Sequence, residues 1–213
     1  MQAIFFNDFA NAYIPNILQE LYRDRVYAPY LEGKRDFTIL DVGANIGLFS
    51  FYAYPFAKTI YSLEPSKMHF EALTSMVEYN KLTNVQPLNL ALAPQNGKAT
   101  FYHHQNVTMF SLRPEVNMLP SQAEEVTTMD METLCNTYDI PQIDFMKLDV
   151  EGSEHDIISS ESFEKMASRI KTMVLELHTW NGVSFQQTLN TLRDYGFALQ
   201  QIPSEATIFA ATR

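Results

Sequence analysis

The apolar residues of this chain alternate between helical stripes and short extended runs. Near the start of the chain, Ile14, Ile17, Leu18 and Leu21 repeat at the i, i+3, i+4, i+7 spacing of one helix face. The same reasoning extended along the chain predicts helices at residues 14–22, 47–57, 67–80 and 185–192. Gly196 lies just beyond the last of these, where glycine commonly ends a helix.

Runs rich in β-branched and aromatic residues separate the helical stripes and predict strands. The predicted strands are residues 37–42, 59–64, 84–92, 99–102, 125–128, 143–149, 172–178, 197–202 and 206–212. Strands that alternate with helices indicate an α/β fold, with a mostly parallel, doubly wound sheet covered by helices on both faces. Residues 203–205 join the last two strands over a hairpin-length connection, so we expect an antiparallel hairpin at one edge of the sheet.

The chain has 213 residues, which is the length of one domain. We expect a single domain over residues 1–213, with an N-terminal helical segment at 1–36 and an α/β core at 37–213. Residues 103–124, within the core, have the weakest pattern and are interpreted as a variable segment that selects the substrate.

Charge and cysteine content exclude several classes of protein. Fifteen basic and 25 acidic residues give a net charge of −10, which disfavours binding to nucleic acid or to an anionic membrane. Cys135 is the single cysteine, so no internal disulfide can form. The start of the chain lacks the basic residues of a signal peptide, and no apolar run approaches roughly 18 residues. We therefore expect a cytoplasmic protein with no membrane partner.

A glycine-containing turn follows the first predicted strand, in the segment 39–48 with the sequence ILDVGANIGL. Gly43 permits a tight turn, Asn45 tolerates a left-handed conformation, and Gly47 permits a close approach of a helix or a ligand. The turn leads into a predicted helix. We expect its backbone N–H groups to face a carboxylate or another anionic group.

The same turn argues against a dinucleotide. The fingerprint G-x-G-x-x-G would need glycine at 43, 45 and 48, and the last two positions are Asn45 and Leu48. S-adenosylmethionine (SAM), which has no phosphate, fits such a turn better. Glu64 ends the second predicted strand, 23 residues after Asp41, where a carboxylate binds the ribose of an adenosine ligand. A nicotinamide-dependent oxidoreductase remains the less favoured alternative.

Acidic residues follow the later strands of the predicted sheet. Asp149, Glu151 and Glu154 lie in the turn after strand 143–149, and Glu176 and His178 end the next strand along the chain. Because the carboxyl ends of parallel strands meet at one edge of the sheet, we expect these side chains to converge. The cluster could supply a general base, or it could hold Mg²⁺. No metal site is predicted.

Two further features are assigned no role in catalysis. The pair His103 and His104 has no third ligand nearby in the sequence, so it is interpreted as structural rather than as a metal site. Trp180 could form a wall of the acceptor pocket, because an aromatic face suits a sugar ring, or it could belong to the core.

Several motifs together resemble the FkbM-type SAM-dependent methyltransferases. These motifs are Asp41-Val-Gly-Ala-Asn-Ile-Gly47, Leu63-Glu-Pro65, Thr127-Thr-Met-Asp130, Lys147-Leu-Asp-Val-Glu-Gly-Ser-Glu154 and Glu176-Leu-His178. The resemblance covers roughly residues 37–180. It implies the Rossmann-like class I methyltransferase fold, with a seven-stranded sheet whose last strand is antiparallel.

The resemblance also implies site residues and an activity. The residues implied to bind SAM are Asp41, Gly43, Ala44, Asn45, Gly47, Glu64, Pro65, Ser66, Asn89, Leu90 and Ala91. Asp149, Glu151, Glu176 and His178 are the candidate catalytic residues. The implied reaction is O-methylation of a sugar or small-molecule hydroxyl, yielding S-adenosylhomocysteine. A non-catalytic SAM-binding protein, or a subunit of a larger complex, remains an alternative.

Overall fold

The structure is a computed structural model that describes residues 14–103, 110–112, 123–178 and 185–213. In this part of the chain, every helix is too short or too polar to cross a lipid bilayer. The strands are β1 (Phe37–Val42), β2 (Ala57–Leu63), β3 (Val85–Leu88), β4 (Ala91–Leu92), β5 (Gly97–Tyr102), β6 (Ala123–Met129), β7 (Ile143–Leu148), β8 (Ile170–Glu176), β9 (Ala198–Gln201) and β10 (Ile208–Thr212). The α-helices are α1 (Ile14–Leu18), α2 (Ala28–Leu31), α3 (Leu48–Ala53), α4 (Lys67–Tyr79), α5 (Met131–Thr137), α6 (Glu154–Ile158), α7 (Glu161–Ala167) and α8 (Phe185–Asp194).

In the described ranges, the main sheet has seven strands in the order β3-β2-β1-β7-β8-β10-β9. The first five strands are parallel to one another, whereas β10 is antiparallel to both β8 and β9. The predicted mostly parallel sheet and its C-terminal hairpin are thus confirmed. The strand order reverses between β1 and β7, and a crevice outside the carboxyl ends of these strands is where such sheets bind ligands.

The sequence prediction was wrong for residues 84–92, which do not form one strand. The chain leaves the main sheet after β3, bends at Asn89, and enters a second sheet as β4. The Asn89 amide stabilises the bend by donating hydrogen bonds to the backbone oxygens of Glu64 (2.9 Å) and Pro65 (3.0 Å). The second sheet has the order β4-β6-β5, and its β5–β6 pair corresponds to the two short predicted extended segments.

Apolar residues of the main sheet form a core on each of its faces. Leu40 and Leu148 belong to the core packed against helices α5 to α8. Ile39 and Phe145, at alternate positions of the same strands, belong to the core packed against α1 to α4. This alternation follows from the two-residue period of a strand and confirms a sheet wound on both sides.

The N-terminal helix differs from its prediction in geometry. It begins as α1 and continues as a π-helix at Gln19–Arg23, rather than as one α-helix through residue 22. Leu21 is nevertheless fully buried in the core on the α3 side of the sheet, with Ile17 packed against that core. The segment therefore lies on the same face as the side chain of Phe145.

Candidate active site

A cavity of about 350 Å³ opens where β1 and β7 end. Its volume is within the usual range of ligand pockets, roughly 300–1,000 Å³. The predicted site residues in its wall are Gly43, Ala44, Asn45, Glu64, Pro65, Leu90, Ala91, Asp149, Glu151 and Glu176. Of the predicted site residues, the following lie outside the wall of this cavity: Asp41, Gly47, Ser66, Asn89 and His178.

The close approach of β1 and β7 explains the glycine at the turn. Gly43 has a φ of 81°, and a Cβ atom there would lie 1.8 Å from the backbone oxygen of Asp149. Gly47 has a φ of 90°, and its Cβ would meet Met76 and Leu73 of α4 at 2.3 and 2.6 Å. Gly43 is therefore required by packing against backbone, whereas Gly47 is required by its left-handed backbone angle, because the side-chain ends of Met76 and Leu73 can move. The predicted left-handed conformation of Asn45 is also present, with a φ of 50°.

The expectation that the turn presents free N–H groups was wrong for residues 43–47, whereas the first amides of α3, at Leu48 and Phe49, have no acceptor within the helix. The amides of Gly43 and Ala44 both donate to the backbone oxygen of Leu63, at 3.1 and 2.9 Å. The amide of Ile46 donates to the side chain of Asn45 at 2.8 Å. The two remaining amides, of Asn45 and Gly47, bind Glu64 Oε2 (2.8 Å) and the backbone oxygen of Ala44 (2.9 Å). An anionic ligand group at this end of the cavity therefore needs a donor other than the amides of residues 43–47.

Glu64 is held rigidly in the cavity wall. It is 4% exposed, its Oε2 accepts from the Asn45 amide at 2.8 Å, and its Oε1 accepts from the Ser66 amide at 2.9 Å. A carboxylate has about four lone-pair sites, so each oxygen keeps capacity for one more donor. The arrangement fits the two hydroxyl groups of a ribose. It also gives Ser66 a supporting role, since its amide orients the carboxylate.

Asp41 lies beneath the site in a buried hydrogen-bond network. Its Oδ2 accepts from Ser50 Oγ at 2.6 Å, and Ser50 Oγ lies 2.6 Å from Ser62 Oγ on the neighbouring strand. Burial raises the pKa of Asp41 to about 6, although Lys147 opposes that rise. The network ties α3 to β1 and β2, so Asp41 supports the glycine turn from below.

The predicted convergence of acidic groups is present. His178 Nε2 lies 3.4 Å from Glu151 Oε2 and 3.8 Å from Glu176 Oε1. On the other edge of the ring, Nδ1 lies 2.9 Å from Glu154 Oε1. Asp149 completes the cluster, since its carboxylate approaches both Glu151 and His178 within 4.8 Å. The turn itself is strained, because Glu151 adopts a φ of 55°.

Burial and neighbouring charges set the protonation of the cluster. Burial disfavours a charged His178, but Glu154 outweighs burial and raises the pKa of His178 to about 10. Burial and Asp149 together raise the pKa of Glu151 to about 8. Burial would also raise the pKa of Asp149, but Lys147 and His178 reverse the effect and lower it. Near neutral pH the cluster thus contains an imidazolium, an ionised Asp149 and a protonated Glu151.

Lys147 is a cavity residue that the sequence reasoning missed. It is 8% exposed, and its Nζ donates to Asp149 Oδ2 (3.0 Å) and to the backbone oxygen of Gly43 (3.2 Å). Burial lowers its pKa, but Asp149 and Asp41 outweigh burial and raise it above the ordinary value. A lysine inside an apolar central strand was the available signal, because lysine is rarely buried without a partner.

The N-terminal segment supplies a second missed group, the carboxyl of Glu20. This side chain lines the cavity, and its Oε1 accepts from the hydroxyl of buried Tyr27 at 2.5 Å. Burial raises the pKa of Glu20 to about 7. Position 20 lies outside the apolar stripe of Ile17, Leu18 and Leu21, so the helical pattern contained no signal for this residue.

The second sheet closes the opposite end of the cavity, which the sequence did not predict. Phe101 and Phe110 line this end together with His69 of α4. The Phe110 ring stacks on His103 at 4.4 Å and lies 4.8 Å from His69. The next residue, Ser111, donates from Oγ to the backbone oxygen of Glu151 at 2.6 Å. Residues 110–112, from the predicted variable segment, thus contact both ends of the site.

The histidine pair and the tryptophan have different outcomes. His103 Nε2 lies 2.9 Å from Glu124 Oε1, and its ring packs on Phe110, which accounts for it structurally. His104 and Trp180 lie outside the described residues.

Asp149, Glu151 and His178 are the described group whose ligand atoms come closest to a cation-binding arrangement. Lys147 and the imidazolium of His178 already supply positive charge there.

Three matches relate this sequence to known proteins. Residues 41–199 match the family model of the methyltransferase FkbM domain. "Methyltransferase 1" of Beauveria bassiana is 26% identical over 92% of this chain and 86% of its own length. The "31-O-demethyl-FK506 methyltransferase FkbM" of Streptomyces tacrolimicus is 24% identical over 92% and 85%.

A solved structure supports the fold independently of sequence. The precorrin-6y C5,15-methyltransferase of Geobacter metallireducens superposes with a TM-score of 0.52 at 14% identity, covering 89% of this chain and 87% of that one. At this identity the likeness concerns the fold alone, and it confirms the Rossmann-like arrangement.

The family-model match over residues 41–199 spans most of the chain and includes the glycine turn, Glu64 and the acidic cluster. The chain therefore belongs to the FkbM family of SAM-dependent methyltransferases.

Proposed function

We propose that this protein transfers the methyl group of SAM to a hydroxyl oxygen of a small molecule or a sugar. The observation that carries the proposal is Glu151, a carboxyl group in the cavity wall whose pKa is raised to about 8. A general base acts best when its pKa lies near the working pH. The related protein from Streptomyces tacrolimicus is named for a 31-O-demethyl substrate, which also favours an oxygen acceptor.

The residues of the cavity fit the cofactor. Glu64 presents two oriented oxygens to the ribose, and Ala91 and Phe110 offer apolar surface to the adenine. Bound SAM supplies an electrophilic methyl group on a sulfonium. The task of the protein is then to align the acceptor, exclude water and remove one proton.

Proton removal is assigned to Glu151, with the imidazolium of His178 beside it. Ionised Glu151 accepts the hydroxyl proton, and the charge on His178, 3.4 Å away, stabilises the carboxylate before transfer. Asp149 is less suited as a base because Lys147 lowers its proton affinity. His178 is charged at neutral pH, so it stabilises the base instead of acting as one. No metal ion is part of this step, and chelation with EDTA should leave turnover unchanged.

The acceptor class follows from charge. Among the described residues, five carboxyl groups line the cavity, at Glu20, Glu64, Asp149, Glu151 and Glu176, and Lys147 is the cation beside them. An anionic acceptor such as a nucleic acid would be repelled, in line with the net charge of −10. A neutral sugar or another uncharged hydroxyl compound is therefore favoured.

The test is methyl transfer from SAM labelled in its methyl group to a panel of hydroxyl acceptors and matched amines. We expect labelled products from hydroxyl compounds, and loss of labelling in Glu151→Gln with S-adenosylhomocysteine affinity retained. Full turnover by Glu151→Gln would refute the base assignment. Labelling of the amines alone would refute O-methylation. Cofactor binding without transfer to any acceptor would favour a non-catalytic SAM-binding protein.

A further inference from the structure

The end of the cavity next to the glycine turn holds two charged side chains from distant parts of the chain. Lys147 reaches it from the end of β7, and Glu20 reaches it from the N-terminal π-helix. Both side chains line the same cavity, and the charge of Lys147 lowers the pKa of Glu20 against the larger effect of burial. Glu20 also precedes residue 41, where the match to the FkbM domain begins.

Lys147 lies in the cavity wall with one donor beyond its two described hydrogen bonds. Its ammonium group has three N–H donors, and Gly43 and Asp149 account for two of them among the described residues. Its side chain reaches the cavity wall although the residue is only 8% exposed. The amides of the glycine turn are already bound within the protein. Among the described residues of the cavity wall, Lys147 is the cationic donor, and its charge suits a ligand carboxylate.

Glu20 is positioned as the complementary acceptor. The Tyr27 hydroxyl donates to its Oε1 at 2.5 Å, and Tyr27 is itself fixed against Phe49, with ring centroids 4.8 Å apart. This contact fixes one carboxyl oxygen and leaves the other oxygen with lone pairs for a donor from the ligand. A carboxyl group held in a cavity wall in this way suits a ligand ammonium group.

We propose that Lys147 and Glu20 together bind the zwitterionic amino-acid end of SAM, Lys147 through its α-carboxylate and Glu20 through its α-ammonium group. One fixed cation and one fixed carboxyl group match the two charges of this ligand end. The inference rests on SAM as the cofactor and is independent of the acceptor. It assigns the contact with the α-ammonium group to a segment that precedes residue 41, where the match to the FkbM domain begins.

Calorimetry on the full chain tests the ammonium contact. The ligands are S-adenosylhomocysteine, its analogue without the α-amino group, and 5′-methylthioadenosine, which lacks the whole amino-acid end. Glu20→Gln keeps the size and the Tyr27 hydrogen bond but removes the charge. We expect it to weaken S-adenosylhomocysteine binding about tenfold and to leave the other two affinities unchanged. Glu32→Gln is the matched control, because Glu32 is exposed and pairs with Arg25 on the same segment.

The carboxylate contact is tested from the ligand side as well. Lys147→Met should bind S-adenosylhomocysteine and its decarboxylated analogue equally. Because that variant leaves Asp149 buried without its partner and could fail to fold, wild-type protein is also measured with both ligands. We expect the decarboxylated ligand to bind at least tenfold more weakly to wild type.

Three outcomes would overturn the inference. Equal losses in Glu20→Gln for S-adenosylhomocysteine and its deaminated analogue would show that Glu20 does not contact the ammonium group. Equal wild-type affinities for the carboxylated and decarboxylated ligands would remove the role of Lys147. Failure of wild-type protein to bind SAM or S-adenosylhomocysteine at all would overturn the cofactor itself, and this result is distinguishable because it appears before any substitution.

Discussion

A single carboxylate oxygen of Glu154 holds His178 against the turn that follows β7. Glu154 is 1% exposed, and its Oε1 accepts from His178 Nδ1 at 2.9 Å and from the amides of Gly152 and Val150 at 3.1 and 3.2 Å. The ring is thereby fixed with Nε2 facing Glu151. Glu154 is thus a positioning residue, since it acts on both the imidazole and the backbone that carries Glu151.

Replacing Glu154 should change the titration of His178. Because the Glu154 carboxylate is the main cause of the raised pKa, Glu154→Gln should move the His178 midpoint from about 10 toward its ordinary value of 6.5. An NMR titration of the histidine ring protons measures this midpoint, with His178→Gln identifying the signal. Glu161→Gln, an exposed acid that pairs with Lys165, is the control. A midpoint still near 10 in Glu154→Gln would contradict the assignment.

Turnover should depend on pH through the same cluster. Glu151 must be ionised to accept a proton, so kcat/KM should rise with pH through about 8. It should fall again near pH 10, where His178 loses its charge. The profile is measured with whichever acceptor the labelling screen identifies. Because Glu151 and His178 interact, the two midpoints of the pH profile describe the coupled pair and not either residue alone. A rate independent of pH between 6 and 9 would exclude Glu151 as the base.

Loss of the Glu64 carboxylate should weaken every adenosine ligand. Glu64→Gln places an amide against two backbone donors, so the side chain can no longer hold both oxygens toward a ribose. We expect at least a tenfold loss of affinity for both S-adenosylhomocysteine and 5′-methylthioadenosine, in contrast to the selective loss from Glu20→Gln. Calorimetry measures both, with exposed Glu71→Gln on α4 as control. Unchanged binding of 5′-methylthioadenosine would exclude Glu64 from the ribose site. NAD should bind to none of these proteins.

Local sequence signals predicted one side of the cavity. Gly43 and Asn45 adopt the left-handed conformations that their residue types favour, and Glu64 lies at the end of its strand as its spacing predicted. The cluster around His178 could be predicted because parallel strands bring their carboxyl ends to one edge. Each inference needed only the residue types within one turn and the order of strands.

The remaining walls depend on contacts between distant residues. Glu20 and Lys147, at the end of β7, line the same cavity but are more than 120 residues apart in the sequence. No local pattern predicts which face of the sheet the N-terminal helix covers. Residues 84–92 look like one strand because all are compatible with extended backbone. The break arises from tertiary hydrogen bonds of Asn89. The second sheet, which brings Phe110 to the cavity, follows from that break.

Because β1 and β7 are in close contact, substituting Gly43 should destabilise the folded protein more than substituting a glycine with a similar backbone angle. Gly33 has a φ of 79°, and a Cβ atom there would meet no other atom within 4 Å, whereas the Cβ of Gly43→Ala would clash with the Asp149 backbone. The left-handed angle costs either variant about 1–3 kcal/mol. We expect Gly43→Ala to lose at least about 2 kcal/mol more than Gly33→Ala. Urea denaturation measures both, and equal losses would contradict the close approach.

The buried carboxyl group of Glu20 should make stability fall as pH rises. Its pKa is about 7 in the folded protein against an ordinary value of 4.5, so the folded state binds this proton more tightly than the unfolded state. The stabilisation is complete below pH 4.5 and is lost between pH 4.5 and 7. At 1.36 kcal/mol for each unit, the loss is on the order of 3 kcal/mol.

Glu20→Gln isolates this contribution because the amide fills the same space and does not titrate. The difference in unfolding free energy between wild type and Glu20→Gln should shift in favour of the variant as pH rises from 4.5 to 7. Urea denaturation at several pH values, without ligand, measures the difference, and Glu32→Gln serves as the exposed control. Parallel curves for wild type and Glu20→Gln would mean that Glu20 is solvated in the folded protein. A solvated Glu20 would also be too loosely held to distinguish an ammonium group on the cofactor.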